Sequence, residues 1–427
     1  MDGKEIKKLF FFKEKDFLKH SGILFIATFI GGACNYAYQL YMGRGLGPEG
    51  YGIFGSLFAI SYILFVLAGT IQTSTARFIS GFVGEEKRQN IRMFLIGMYK
   101  RVLVLGILIF LFFLLASSWI SSFLKINSIE PILIVGSFFL FSLLLPVNMG
   151  VLQGLQRFEH LGICIVLNFL SKFVFGFFLV NIGFGVNGAL SALTLSAIFA
   201  LIPSFIFLRT SLSEGTSRKE LKFNFSEVYK YSLPALLTMF CFAVPANVDM
   251  IIVKHFFSSQ QAGLYTAASV LGKIVLFIPE AIALVMFPKV TEALARKENS
   301  MNVLYCSILY TGLLSGIIGI AYWIFPSYAV EIPFGYDYIN AVPLVKLYGI
   351  AMFFFSLSFI IMRYSLALRD QKYVIVFSIF TFLEIALLSI FHEKMTNMVS
   401  ILVLVNAVWF LSSVFYVKWR APKLNNF

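Results

Sequence analysis

Apolar residues in this chain are gathered into long blocks. Twelve such blocks of about 20 residues fall at 21–42, 51–74, 103–122, 132–151, 161–181, 186–208, 232–253, 262–287, 304–325, 341–364, 373–391 and 397–417. A helix of that length crosses a hydrocarbon core about 30 Å thick, rising about 1.5 Å per residue. It also satisfies every backbone polar group within the segment, which the bilayer interior demands. The pattern therefore predicts an all-α integral membrane protein with about twelve transmembrane helices.

The polar breaks carry the orientation. An even number of spans puts both ends on one side. That side holds 26 of the 34 Lys and Arg residues: the lysines before residue 20, the loops after spans two, four, six, eight and ten, and the tail. The other side holds four, Arg44, Lys125, Lys254 and Lys394, and the remaining four lie within spans. Short loops so enriched in Lys and Arg are cytoplasmic. The expected location is a cell membrane, with both termini in the cytoplasm.

Composition agrees, at 59% hydrophobic and only 13% charged, where soluble domains carry about 25% charged residues. The formal charge of +13 follows largely from topology. With no basic domain outside the membrane, it does not argue for nucleic acid. Leu9, Phe10, Phe11, Phe12, Phe17 and Leu18 interleave with lysines in residues 1–20. That suits an amphipathic helix on an anionic inner leaflet, or a basic topology anchor. The following apolar stretch is too long for a cleaved signal peptide, and no small-residue cleavage site ends it. Trp119, Trp323 and Trp419 fall at helix ends, as interfacial anchors do. Cys34, Cys164, Cys241 and Cys306 form no disulfide framework and read as small core residues. The four histidines lack ligand spacing, so no metal site and no cofactor are expected.

A weak internal repeat organises the blocks. LGPEGYGIF at 46–54 and FSSQQAGLY at 257–265 occupy the same loop of successive six-helix sets. An offset of 211 aligns Gly52 with Gly263, and one of 212 places Lys172 opposite Glu384. Two copies with six helices each share one orientation, so a pseudo-two-fold axis along the membrane normal should relate them. The expected organisation is a basic segment at 1–20, a lobe at 21–208, a cytoplasmic linker at 209–231, a lobe at 232–417 and a tail at 418–427. Two lobes in one chain are consistent with a functional monomer. Such lobes around a central cavity suit alternating access. No filter or re-entrant segment argues for a channel, and the short outer loops hold no catalytic constellation, so an enzyme is not expected.

Three segments carry a family resemblance. MGRGLGPEGYGIFGSLFAI (42–60) resembles the first outer loop and second helix of polysaccharide or O-antigen flippases. These belong to the multidrug/oligosaccharidyl-lipid/polysaccharide exporter superfamily. The segment 248–290, from VDMIIVKHF to VMFPKV, resembles their seventh and eighth helices, and PFGYDYINAVPLVKLYG (333–349) their loop into helix ten. The resemblance implies a V-shaped, MATE-like fold that moves a polyprenyl-diphosphate-linked oligosaccharide to the outer leaflet for cell-surface polysaccharide. The same superfamily offers an alternative, a drug or organic-cation antiporter.

An anionic diphosphate needs cations, and sugars need amides and aromatic faces. A charge at mid-bilayer costs at least about 2.5–3.5 kcal/mol, which singles out the in-span ionisable groups. These are Lys172, Asp249, Lys273, Glu280, Lys346, Arg363 and Glu384. Lys273, Lys172 and Lys346 are candidate substrate ligands, with Asn35, Tyr38 and Gln39 in the first span suited to sugars. Asp249, Glu280, Glu384 and Arg363 are candidates for ion pairs or for a coupling cation, proton or sodium. Lys172 and Glu384 could equally be structural partners, and Arg363 could snorkel to its interface. The amides could serve only to hold helices together. Four in-span bases against three acids lean toward an anionic substrate.

The charge bias predicts that a cysteine at position 215, in a background free of native cysteines, is labelled only from the cytoplasmic side. Labelling from outside alone would reverse the topology.

Overall fold

The computed structural model describes residues 3–85, 87, 89–212, 225–296, 298–368, 370 and 372–424. Parts of the basic segment, the linker and the tail therefore lie outside the described residues, as does position 215. Every regular element among the described residues is helical.

Two helical stretches are far longer than one crossing needs, Gly22–Gly84 with 63 residues and Phe158–Arg209 with 52. The first breaks at Gly47, with φ 65° and ψ 174°. Pro48 follows, and its fixed φ and missing N–H suit the first turn of a new helix. The second breaks at Gly183 and Gly185, with φ of 95° and 50°. Lacking a Cβ, glycine takes these values at no steric cost. A bend of 50° divides Ser226–Ala243 from Val248–Phe256. Counting each limb of the two broken stretches as a crossing, and the bent pair as one, gives twelve among the described residues, at the places the apolar blocks predict.

The chain forms two compact units. Unit 1 comprises Met1–Gly45 and Leu64–Met239, and unit 2 comprises Leu46–Ile63 and Phe240–Phe427. In unit 1, Leu145, Leu152, Leu161, Cys164 and Ala200 build a core. Unit 2 is organised on the helix Val342–Ala367, most of whose residues are buried, Tyr348, Ser356, Phe359 and Tyr364 among them. Peripheral helices turn large apolar side chains outward instead, such as Leu115 and Phe415. That arrangement suits lipid, where burying leucine against protein gains little over leaving it among acyl chains. Several serine and threonine hydroxyls inside the helices fold back onto main-chain carbonyls: Ser61 donates to Leu57, Thr70 to Val66 and Ser413 to Trp409. Each therefore crosses without a stranded polar group. All four cysteines are free, and Cys306 is exposed, unlike the buried Cys164.

The glycines aligned by the repeat lie at a close backbone crossing within unit 2. A Cβ on Gly52 would collide with the Ser259 carbonyl and the Gly263 amide, and one on Gly263 would collide with the Pro48 carbonyl. The helix Ser259–Gly272 is fixed there by a capping box between Ser258 and Gln261. Gly52→Ala and Gly263→Ala are each expected to destabilise the protein by about 1–3 kcal/mol through overpacking. Thermal unfolding in detergent reads this, with Gly81→Ala as control, since no atom lies within 4 Å of its added Cβ.

Candidate functional site

The two units each bury a polar cluster built from in-span residues. In unit 1 the centre is Lys172, on the helix Phe158–Leu179 and only 7% exposed. Its ammonium donates to the Asn35 side-chain oxygen. It also lies 5.0 Å from the Tyr38 ring centroid and 4.9 Å from that of Phe169. Desolvated cation–ring contacts of this kind favour the charge. Tyr38 is itself fully buried and donates to the Ala189 carbonyl at 2.5 Å. Gly176 leaves room for its ring, which a Cβ would strike. Tyr38 is thus a wall behind the lysine, and Gln39 is buried beside it in sequence. Amides extend the polar character of this unit: Gln72 donates to Gln153 at 3.0 Å, and Asn148 donates to Ser204 at 2.8 Å while accepting from Tyr99.

In unit 2 the centre is Asp249, 1% exposed, on the short helix Val248–Phe256. Its Oδ2 accepts from the Tyr265 hydroxyl at 3.0 Å and the Tyr348 hydroxyl at 2.5 Å. Tyr348 also pairs with Ser269 at 2.9 Å. A phenol has one proton, and a carboxylate can only accept, so Ser269 is the donor in that pair. Lys273 donates to the Asn247 side-chain oxygen at 3.3 Å. Its charge interacts with both Asp249 and Glu384. Glu384 is 2% exposed. Asp249 Oδ1 and Glu384 Oε1 are buried and accept no hydrogen bond among the described residues. Gly272, next to Lys273, lies under the Tyr348 ring, which a Cβ would strike. Two carboxylates and one ammonium make this cluster acidic when all three are ionised.

The structure therefore brings Asn35, Tyr38 and Lys172 together in one unit, and Asp249, Lys273 and Glu384 together in the other. The remaining candidates lie elsewhere in unit 2. Glu280 and Arg363 are exposed, and their charges interact. Glu280 also acts on Tyr62, and the Arg363 guanidinium lies 4.9 Å from the Phe359 ring centroid. Lys346 lies 5.4 Å from the Trp323 indole centroid, between the start of the helix Val342–Ala367 and the end of Met301–Ile324.

Sequence reasoning missed Asn247, Tyr265, Ser269 and Tyr348. The repeat held a signal for one of them: Asn35 and Asn247 differ by 212, as do Lys172 and Glu384. Lys254, assigned to an outer loop from its position, is fully buried.

Comparison with known proteins places this architecture. It is similar to an inward-facing multidrug resistance MATE family transporter of the MOP superfamily, with TM-score 0.79 and 15% identity over 93% of this chain and 96% of that one. An outward-facing MATE transporter gives TM-score 0.67 at 17% identity, over 96% of each chain. A MOP superfamily transporter from Pyrococcus furiosus, described as having a binding pocket of reverse polarity that suggests a different function, gives 0.66 at 17%, over 95% and 96%. By sequence, an uncharacterized membrane protein of Methanocaldococcus jannaschii is 22% identical over 63% of this chain and 67% of its own. A protein of the Haemophilus influenzae Lsg locus is 25% identical over 29% of this chain and 30% of its own. The chain has the fold of these MATE transporters, with apolar helices long enough to cross a membrane many times. Residues 17–294 match the family of polysaccharide biosynthesis proteins, and the chain belongs to that family.

Tyr348→Phe removes a donor from a buried carboxylate that already has one oxygen without a hydrogen bond. The expected loss is about 1.5–3 kcal/mol of stability. Unfolding of the purified protein reads it, with Tyr310→Phe, at an exposed position, leaving stability unchanged.

Proposed function

We propose that this protein moves a polyprenyl-diphosphate-linked oligosaccharide from the inner to the outer leaflet of the cell membrane by alternating access. The observation that carries this reading is the buried cluster of Lys172, Asn35 and Tyr38, in a chain of the polysaccharide biosynthesis family. A lysine in the hydrocarbon region is retained at a cost of at least about 2.5–3.5 kcal/mol unless it serves a substrate or a partner. Here it is offered an amide oxygen and ring faces, and a phosphate oxygen would supply the anionic partner it lacks among these contacts.

Lys273 supplies a second cation. Beside it, the unpartnered oxygens of Asp249 and Glu384 suit a coupling proton or sodium ion, taken up as the charge balance of the cluster changes. Both termini lie in the cytoplasm on this reading. One chain supplies both clusters, so a monomer suffices. The second reading is export of an organic cation. The two carboxylates of unit 2 favour it, as does the multidrug description of the similar structures.

The test is movement of a defined lipid-linked oligosaccharide by purified protein in liposomes. Lys172→Ala and Lys273→Ala should each lower the rate about tenfold or more, from loss of a charged hydrogen bond of about 1.5–3 kcal/mol. Lys273→Arg should keep part of the activity, and all three variants should insert and fold. A protein that accumulates a cationic dye and leaves the glycolipid in place is an antiporter. A Lys273→Ala protein that unfolds early, yet transports normally per folded molecule, makes Lys273 half of a structural ion pair.

A further inference from the structure

A groove of about 550 Å³ runs between the neighbouring helices Phe277–Ala295 and Met301–Ile324 of unit 2. Its wall is apolar over most of its length, formed by Ile282, Val285, Met286 and Leu314 among others. Val285 is 59% exposed and Leu314 46% exposed, so the groove opens outward rather than into a packed core. Tyr310 adds a hydroxyl partway along the wall, and one end is lined by Lys289 and Asn302. Both are exposed. Ser307 also lines the groove, but its hydroxyl is committed to the Val303 carbonyl at 2.8 Å. Among the described residues, Lys289 is the one charged residue on the wall, so the groove is positive at that end and neutral elsewhere. Pro288, just before Lys289, removes a backbone hydrogen bond there and loosens the helix where the lysine leaves it.

We propose that this groove binds one anionic phospholipid, with its phosphate at Lys289 and Asn302 and an acyl chain along Ile282, Val285 and Leu314. Charge complementarity selects an anionic head over a zwitterionic one. Length selects an ordinary acyl chain. The twelve residues from Asn302 to Leu314 span about 18 Å at about 1.5 Å each, against about 15 Å for one leaflet of a core about 30 Å thick. A long polyprenyl chain would overrun it. The polar end lies in the loop region that the charge bias assigns to the cytoplasm, so the lipid comes from the inner leaflet. This site is independent of what the protein transports.

Native mass spectrometry of the full chain in detergent counts lipids retained on titration with phosphatidylglycerol, phosphatidylcholine or polyprenyl phosphate. One phosphatidylglycerol should bind about fivefold tighter than phosphatidylcholine, as expected for about 1 kcal/mol per lysine near an anionic head. Lys289→Gln should erase that preference. Cys306→Trp, which fills the groove from its exposed wall, should lose the tightly held lipid altogether. The proposal falls if the two phospholipids bind equally, or if Lys289→Gln keeps the preference. It falls also if Cys306→Trp still retains the lipid. Retention of polyprenyl phosphate alone would assign the groove to a carrier lipid and overturn the phospholipid reading.

Discussion

The structure depends on one constraint: inside hydrocarbon, no backbone amide or carbonyl can be left without a partner. Long uninterrupted helices are the response, and the places where they stop are correspondingly few. Gly47, Gly183 and Gly185 take the positive φ values that reverse the chain. Several hydroxyls buried within spans, such as those of Ser61, Thr70 and Ser413, are returned to the main chain of their own helix. With backbone demands met locally, the side chains are left to decide how helices pack, and glycine does so where backbones must nearly touch, as at Gly52 and Gly263.

Against that background the two polar clusters stand out. Each is an exception to the rule that hydrocarbon-embedded helices carry apolar side chains, and each is held by several helices at once. The Lys172 cluster is basic, with an amide and rings around it. The Asp249 cluster is mixed, with hydroxyl donors converging on one carboxylate oxygen and a lysine near two acids. Asn35 and Asn247 lie 212 residues apart, as do Lys172 and Glu384, so the second pair places opposite charges at equivalent spacing. The two units are therefore equipped for different chemistry within one architecture.

Much of the fold was legible because hydrophobic length and charge bias are strong signals. The blocks located each crossing, and the family resemblance pointed to a MATE-like fold. Ionisable residues in apolar blocks were visible for the same reason, so Lys172, Asp249, Lys273 and Glu384 could be named in advance. Tyr265, Ser269 and Tyr348 could not, because a tyrosine or serine in an apolar helix reads as packing until its neighbours are known. Lys254 was misplaced because three residues separate a loop from a buried helix end, a distance below the resolution of hydropathy. Nor could sequence show that Leu46–Ile63 packs with the second half of the chain, since membership of a unit is a long-range property.

That last feature bears on biosynthesis. Leu46–Ile63 leaves the ribosome long before Phe240, where the rest of unit 2 begins. At about 5–20 residues per second, the interval is roughly ten to forty seconds. During it, a glycine-faced helix with buried Tyr51 and Phe54 has no final neighbour and must be sheltered by lipid or by the insertion machinery. The first unit is likewise incomplete until residue 239 is made. Neither half of the gene encodes a self-sufficient module, so a truncated product would be a client for quality control rather than a working half.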